Sequence, residues 1–83
     1  MTPVDDPLLP LVQRARDGDR SAFDALVLRI QDPIYAAALR ILGDPASAQD
    51  ATQEGLLRIV THLSSFRGES RFLTWALRVA VNQ

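Results

Sequence analysis

Signals that end one helix and start the next divide this sequence into helical segments. Gly18 is followed at once by Asp19, and Gly43 is followed by Asp44 and Pro45. Glycine favours the left-handed conformation that ends a helix, aspartate caps the first free N–H groups of the next helix, and proline fits the first helical position. Because no strand-like alternation of apolar and polar residues is long enough to compete, the sequence predicts an all-α fold.

The predicted fold is a small bundle of about four helices, and the last helix has no stop signal before the chain ends. We therefore expect that helix to be truncated. The predicted helices run from Asp6-Pro7 to about Asp17, from Asp19 to about Leu42, from Asp44-Pro45 to about Leu63, and from Ser70 onward, with Asp6, Asp19, Asp44 and Ser70 as their caps.

Apolar residues recur along the second helix over a wide arc. They predict two adjacent buried stripes, so this helix is expected to be the central one, packed on two sides. The first stripe contains Phe23, Leu26, Val27, Ile30, Ile34, Ala37, Ala38 and Ile41, and the second contains Leu28, Tyr35, Leu39 and Leu42.

The third helix has a predicted core face and an opposite polar face. Gly55 lies within it, although glycine costs a helix interior about 1 kcal/mol relative to alanine. Leu57 lies among the polar residues, and an apolar side chain flanked by carboxylates and an amide is a candidate contact for a protein partner. The core face is Ala48, Thr52, Leu56, Ile59, Val60 and Leu63, and the polar face is Asp50, Gln53, Glu54, Arg58 and Thr61.

The composition limits the chain to a small soluble domain. Its 83 residues can build one domain with a single core, and without cysteine it forms neither disulfides nor thiolate metal sites. It has no apolar run of membrane-spanning length, and its N-terminus lacks the basic and apolar regions of a signal peptide. These features predict a cytoplasmic protein with no membrane partner.

The charged residues are distributed unevenly. The net charge of −1 argues against a protein that coats duplex DNA by charge alone. Residues 1–57 contain nine acidic residues and five arginines, a net −4, whereas residues 58–83 contain four arginines and one glutamate, a net +3. An acidic body with a basic C-terminal edge suggests two partners of opposite character.

The sequence contains no recognisable arrangement for catalysis. His62 is the only histidine, there is no glycine-rich phosphate loop, and no carboxylate pair lies near a candidate nucleophile. His62 is most simply a solvated residue near the negative end of a helix dipole. We therefore expect no enzymatic activity, no cofactor and no bound metal.

A short polar loop separates two phenylalanines near the C-terminus. Phe66 and Phe72 are expected to anchor the core. The intervening segment RGESR is too polar to fill a core, and Gly68 allows a ligand to approach the backbone closely. The loop is therefore a candidate binding site.

The fourth helix has a narrow polar track bordered by Trp75. Arg71, Arg78 and Asn82 lie within about 40° of one another around the helix axis. Guanidinium groups can hold phosphates and stack on bases, and an asparagine amide can bind a base edge. The track is either a nucleic-acid contact or a solvated strip on a packed helix.

The segment FRGESRFLTWALRVAVN resembles regions 2.3 and 2.4 of the extracytoplasmic-function group of sigma-70-type factors, where a Phe-Arg-Gly-acid-Ser, a Phe, a Thr-Trp and a terminal Asn recur at this spacing. The segment GDPASAQDATQEGLLRIVTHL is similar to region 2.2, and GDRSAFDALVLRIQDPIYAAALRIL to region 2.1. The resemblance implies that residues 1–83 are a sigma region 2 domain, with region 2.1 at about 20–43, region 2.2 at about 44–63, and truncated regions 2.3 and 2.4 at 64–83. It departs at Leu77, where the family often has an aromatic residue.

The resemblance also implies a role in transcription initiation and two partners. The family's Asp-x-x-Gln-Glu motif faces the clamp helices of the RNA polymerase beta-prime subunit, which makes the implied polymerase-binding residues Asp50, Gln53, Glu54, Leu57 and Arg58. The family also binds and helps melt the promoter minus ten element, holding a flipped base of the non-template single strand in the loop between regions 2.3 and 2.4. The implied DNA-binding residues are Phe66, Arg67, Gly68, Ser70, Arg71, Trp75, Arg78 and Asn82. The sequence does not reveal which anti-sigma factor, if any, is a further partner.

A rival interpretation is a helical protein-interaction module without DNA binding. In that case Arg71, Arg78 and Asn82 form only a solvated face, and the net charge of −1 favours this interpretation. The salt dependence of single-strand binding separates the two, because phosphate contacts give a negative slope of affinity against salt.

Overall fold

The computed structural model describes residues 6–81. This part of the chain folds into four α-helices, α1 (Leu9–Arg16), α2 (Arg20–Leu42), α3 (Pro45–Thr61) and α4 (Phe72–Val81), with a short 3₁₀ helix at Leu63–Ser65. Helix α2 packs against the other three, and α3 also packs against α4. The prediction of a small all-α bundle of about four helices with a central second helix is therefore confirmed. None of the helices described is long and apolar enough to cross a membrane.

The caps predicted for α2 and α3 are confirmed. Asp19 accepts a hydrogen bond from the Ala22 N–H at 3.2 Å, and Asp44 accepts one from the Ser47 N–H at 2.9 Å. Gly43 ends α2 with φ 72°, a left-handed conformation in which its N–H donates to the Leu39 carbonyl. These signals are local in sequence, and therefore both helices start where the sequence predicts.

The Asp19 carboxylate also pairs with Arg14 across the α1–α2 turn. Arg14 Nη2 lies 2.8 Å from Asp19 Oδ2, and the Ser21 hydroxyl donates to Asp19 Oδ1. Hydrogen bonds from Arg14, Ala22 and Ser21 lower the pKa of Asp19 from 3.8 to about 2. The hydrogen bonds from Ser47 likewise lower the pKa of Asp44.

Helix α1 begins two residues later than predicted, although Asp6 still accepts from an N–H group at its start, and the predicted Ser70 cap of α4 is wrong. Helix α1 begins at Leu9, and the Leu8 side chain at its N-cap position makes no capping hydrogen bond. Asp6 Oδ1 instead accepts from the Leu8 N–H at 3.0 Å, while Asp6 Oδ2 accepts from the Phe72 N–H at 2.7 Å. Asp6 therefore caps the start of α4, and the Ser70 hydroxyl donates to the Arg71 carbonyl instead.

The core lies where α2 meets the other helices. Leu26, Ile30 and Ile34 of α2 are buried together with Val12 of α1 and Phe72 of α4. The remaining buried apolar residues are Leu8, Ala22, Ala38, Ala48, Ile59, Leu63, Phe66, Ala76 and Ala80.

Several apolar residues predicted to be buried are exposed. Ile41 is 67% exposed and Leu28 is 66% exposed, and Leu42 and Val60 are also exposed. The neighbouring helices leave these side chains partly or largely uncovered. The prediction that Leu28 and Leu42 are buried in the second stripe of α2 is therefore wrong. The prediction that Ile41 is buried in the first stripe is also wrong.

Helices α3 and α4 approach each other closely at Gly55. A Cβ atom at this position would lie 2.7 Å from the Ala80 Cβ and 3.2 Å from the Ala80 Cα. Beside this contact, Arg58 Nη1 donates to the Ala80 carbonyl at 3.0 Å and satisfies an acceptor in the last turn of α4. Gly55 thus allows α3 and α4 to cross at close range. This explains why a residue of low helix propensity lies within α3.

Candidate functional site

Three aromatic side chains form a cluster beneath the loop at residues 67–71, hereafter the 67–71 loop. The ring centroids of Phe66 and Phe72 are 5.2 Å apart in an edge-to-face arrangement, and Trp75 lies 5.4 Å from Phe66 and 5.5 Å from Phe72. Phe66 and Phe72 are buried, as core anchors should be, whereas Trp75 is only half-buried. The loop therefore packs over an aromatic cluster in which the Trp75 ring is partly accessible.

A polar pocket of about 340 Å³ opens between the loop and the first turns of α4. Its volume falls within the range of about 300–1,000 Å³ that is typical of small-ligand pockets. Gly68 turns the loop with φ 76°, a conformation that side-chain-bearing residues rarely adopt. The pocket is lined by Ser65, Phe66, Arg67, Glu69, Ser70, Trp75 and Arg78.

The structure brings together most of the residues predicted to bind DNA. Five of them line the pocket, namely Phe66, Arg67, Ser70, Trp75 and Arg78. Arg71 is exposed beside the pocket at the start of α4, and Gly68 shapes the loop without lining the pocket. Asn82 lies outside the described residues.

The lining of the pocket suits an anionic, partly aromatic ligand. Arg67 and Arg78 are exposed and outnumber the single carboxylate, Glu69. Guanidinium groups hold phosphates through charge-assisted hydrogen bonds, and the accessible part of Trp75 offers aromatic surface against which a planar base can pack. Sequence reasoning missed Glu69 and Ser65 as lining residues, although Glu69 belongs to the loop it singled out.

The polar face predicted on α3 forms a continuous exposed surface. Asp50, Gln53 and Glu54 are all exposed on successive turns. Leu57 lies among them and is 67% exposed, so its apolar side chain is available to a partner. We call Asp50, Gln53, Glu54 and Leu57 the acidic face.

Arg58 differs from the other residues predicted on that face. Its side chain is 37% exposed, its Nη1 donates to the Ala80 carbonyl, and its Nη2 lies 4.0 Å from Glu54 Oε2. These contacts turn the guanidinium toward the end of α4, at the edge of the acidic face.

A groove of about 360 Å³ between α2 and α3 borders the acidic face. Asp32 and Tyr35 of α2 line it together with Gln53 of α3. Sequence reasoning did not assign Asp32 to this surface, and it placed Tyr35 in a buried stripe. The pairing of α2 with α3 is a tertiary contact, so periodicity within either helix could not reveal the groove.

His62 lies at the C-terminal end of α3 and is exposed. Its Nδ1 is 2.8 Å from the Arg58 carbonyl oxygen, a distance at which Nδ1–H donates to that carbonyl. This position agrees with the prediction of a solvated residue near the negative end of a helix.

The small helical bundle thus has two separate surfaces, one acidic and one with arginines around an aromatic pocket. The family model for Sigma-70 region 2 matches residues 26–83, which is more than half of the chain. The chain therefore belongs to the sigma-70 region 2 family.

Curated relatives agree with this family. The chain is 43% identical over 72 residues to the RNA polymerase sigma-H factor of Pseudomonas aeruginosa, and 39% identical over 72 residues to the ECF RNA polymerase sigma-E factor of Escherichia coli K12. The Salmonella typhimurium LT2 protein of the same name matches equally well. Each alignment covers 87% of this chain but 37% of the relative, so the chain spans little more than a third of their length. No solved structure gives a significant match.

Proposed function

We propose that this chain is the region 2 domain of an extracytoplasmic-function sigma factor, acting in transcription initiation. In this proposal it binds core RNA polymerase with the acidic face and holds a base of the promoter minus ten element at the 67–71 loop. The subdivision into region 2.1 at about 20–43, region 2.2 at about 44–63, and regions 2.3 and 2.4 from 64 onward is part of the same proposal. Nucleotide chemistry is left to the polymerase.

The observation that carries the DNA-binding half is the pocket beside the aromatic cluster. A base flipped out of a duplex loses a few kcal/mol of stacking and pairing, so the protein must provide a substitute environment. Trp75 supplies an aromatic face, Ser70 a hydroxyl, and Arg67 and Arg78 supply positive charge for the adjoining phosphates. The bound strand is proposed to be the melted non-template strand.

The polymerase half depends on the acidic face. Exposed carboxylates at Asp50 and Glu54 around the exposed Leu57 suit a basic partner surface with an apolar spot at its centre. The clamp helices of the beta-prime subunit are the proposed partner. Because this surface lies on α3 and the pocket lies at the start of α4, one domain can contact both partners at once.

The test of DNA binding is a titration of the 83-residue chain with single-stranded oligonucleotides of about ten nucleotides, a length within the site sizes of known single-strand binders. Trp75 is the only tryptophan, so its fluorescence reports directly on the pocket. We expect saturable quenching whose affinity falls with added salt. If no oligonucleotide quenches the Trp75 fluorescence even at low salt, the protein-interaction module is the better interpretation.

A further inference from the structure

The 67–71 loop is held mainly at its two ends, and the two side chains that hydrogen-bond to these ends come from the N-terminal part of the chain. Within residues 6–81, no hydrogen bond joins residues 67–70 to α1, α2 or α3. The residues that flank the loop are held firmly, since Phe66 precedes it and Phe72 follows it in the core. Hydrogen bonds to these two residues therefore act where the loop leaves the core and where it returns to it.

Arg16 of α1 holds the first end. Its Nη1 donates to the Phe66 carbonyl at 3.0 Å, and its Nη2 lies 3.5 Å from the Ser64 carbonyl. These carbonyls are 50 and 48 residues away in sequence. A planar guanidinium with two donors fixes both position and direction, which a lysine ammonium cannot do.

Asp6 holds the second end. Its Oδ2 accepts from the Phe72 N–H at 2.7 Å, and its Oδ1 accepts from the Leu8 N–H at 3.0 Å. One carboxylate thus joins the start of α1 to the start of α4. The first N–H groups of a helix have no partner within the helix, and the partial positive charge there favours an anionic acceptor.

We infer that Asp6 and Arg16 are positioning residues that hold the 67–71 loop in the shape required to bind a base. This inference rests on the proposed function and adds two residues that line neither the pocket nor the acidic face. The N-terminal segment then contributes to DNA binding through the loop, although neither residue lines the pocket. A loop held in its bound shape loses less conformational freedom on binding, so releasing either end weakens affinity without removing any contact to DNA.

Asp6 and Arg16 could affect DNA binding through their charge or by positioning the loop, and these two explanations predict different results. Asp6 is negative, so if it acted through long-range charge alone, its removal would strengthen binding to a phosphate backbone. Arg16 is positive and exposed, so a direct phosphate contact would give its variant a smaller salt slope, by about 0.7 for a single strand. Positioning predicts weaker binding for both variants and an unchanged slope.

The experiment compares Asp6→Ala and Arg16→Ala with Asp6→Asn in oligonucleotide titrations of the 83-residue chain. Asp17→Ala and Arg20→Ala are the matched controls, since both residues are exposed and neither hydrogen-bonds to residues 63–72. We expect Asp6→Ala and Arg16→Ala each to weaken binding about tenfold, in line with the loss of a hydrogen bond to a charged group. Asp6→Asn keeps only one of the two acceptor oxygens that Asp6 uses, so its loss of affinity should be smaller than that of Asp6→Ala but measurable.

Two further measurements separate positioning from general damage to the fold. Amide exchange of Phe72 should accelerate in Asp6→Ala and not in Asp17→Ala, and affinity for core RNA polymerase should remain unchanged in every variant. Stronger DNA binding by Asp6→Ala, a reduced salt slope for Arg16→Ala, or parallel losses of polymerase and DNA binding would each overturn the inference.

The remaining outcomes distinguish this inference from the proposed function. If the parent chain binds oligonucleotides and both alanine variants bind like their controls, the positioning role is refuted while the proposed function stands. If the parent chain binds no oligonucleotide at any salt concentration, the DNA-binding proposal fails and the inference fails with it.

Discussion

Replacing Gly55 with alanine tests whether the close approach of α3 and α4 is a requirement of the fold. In an isolated helix this change stabilises by about 1 kcal/mol, because glycine has more conformational freedom to lose. In this structure the new Cβ would lie 2.7 Å from the Ala80 Cβ, and the nearby Ala80 Cα belongs to the backbone and cannot rotate away. Overpacking of this kind costs about 1–3 kcal/mol.

The net expectation for Gly55→Ala is a loss of about 1 kcal/mol, the difference between the overpacking cost and the propensity gain. For a domain of this size, such a loss lowers the melting temperature by about 4–8 °C. Thermal unfolding followed by far-UV circular dichroism measures it, with urea unfolding as a second determination.

A double-mutant cycle with Ala80→Gly provides the control for Gly55→Ala. Removing the Ala80 Cβ relieves the contact, so the double variant should be more stable than the sum of the two single changes by about 1–2 kcal/mol. A more stable Gly55→Ala chain, or strict additivity in the cycle, would refute the claim that Gly55 is needed for this crossing.

Three other predictions concern single contacts. Asp19→Asn removes the ion pair with Arg14 but keeps a capping acceptor. Because the pKa of Asp19 is lowered from 3.8 to about 2, its carboxylate stabilises the fold above pH 3.8. The stability difference between Asp19→Asn and the parent chain should therefore disappear as pH falls toward about 2, which urea unfolding at several pH values will test. A difference that stays constant over that pH range would contradict this assignment. Arg58→Ala should cost about 1 kcal/mol through loss of the hydrogen bond to the Ala80 carbonyl, and an unchanged thermal midpoint would show that this bond contributes nothing. Arg78→Gln should reduce the salt slope of oligonucleotide binding by about 0.7 if its guanidinium holds one phosphate, and an unaltered slope would exclude that contact.

Local signals in the sequence were sufficient for most of the fold. The aspartate caps of α2 and α3 and the Gly43 terminator depend on residues within four positions of one another, so they are visible in a single sequence. Burial was predicted less well, because periodicity identifies an apolar face but not the neighbour that covers it. Ile41 and Leu28 match the apolar pattern of α2 and are nevertheless exposed.

The candidate site was predictable where its residues are adjacent in sequence. Arg67, Ser70, Trp75 and Arg78 lie in one short segment, and the loop and first turns of α4 bring them to the same pocket. Asp6 and Arg16 could not be found in this way, because their hydrogen-bond partners are distant in sequence. Phe72 lies 66 positions after Asp6, and Phe66 lies 50 positions after Arg16. Gly55 likewise has no evident role until Ala80 is placed against it.

The measurement that most directly tests the role as a sigma region 2 domain is the affinity of the 83-residue chain for core RNA polymerase, with Asp50→Arg alongside. Asp50 is exposed at the acidic face, and charge reversal there would place like charges together, a contact that costs several kcal/mol. Asp24→Arg is the control, because it makes the same change at an exposed position on α2. We expect saturable binding by the parent chain and the control, and a loss of at least about a hundredfold in Asp50→Arg. Equal affinity in all three proteins, or no binding by the parent chain, would contradict the proposed role of the acidic face.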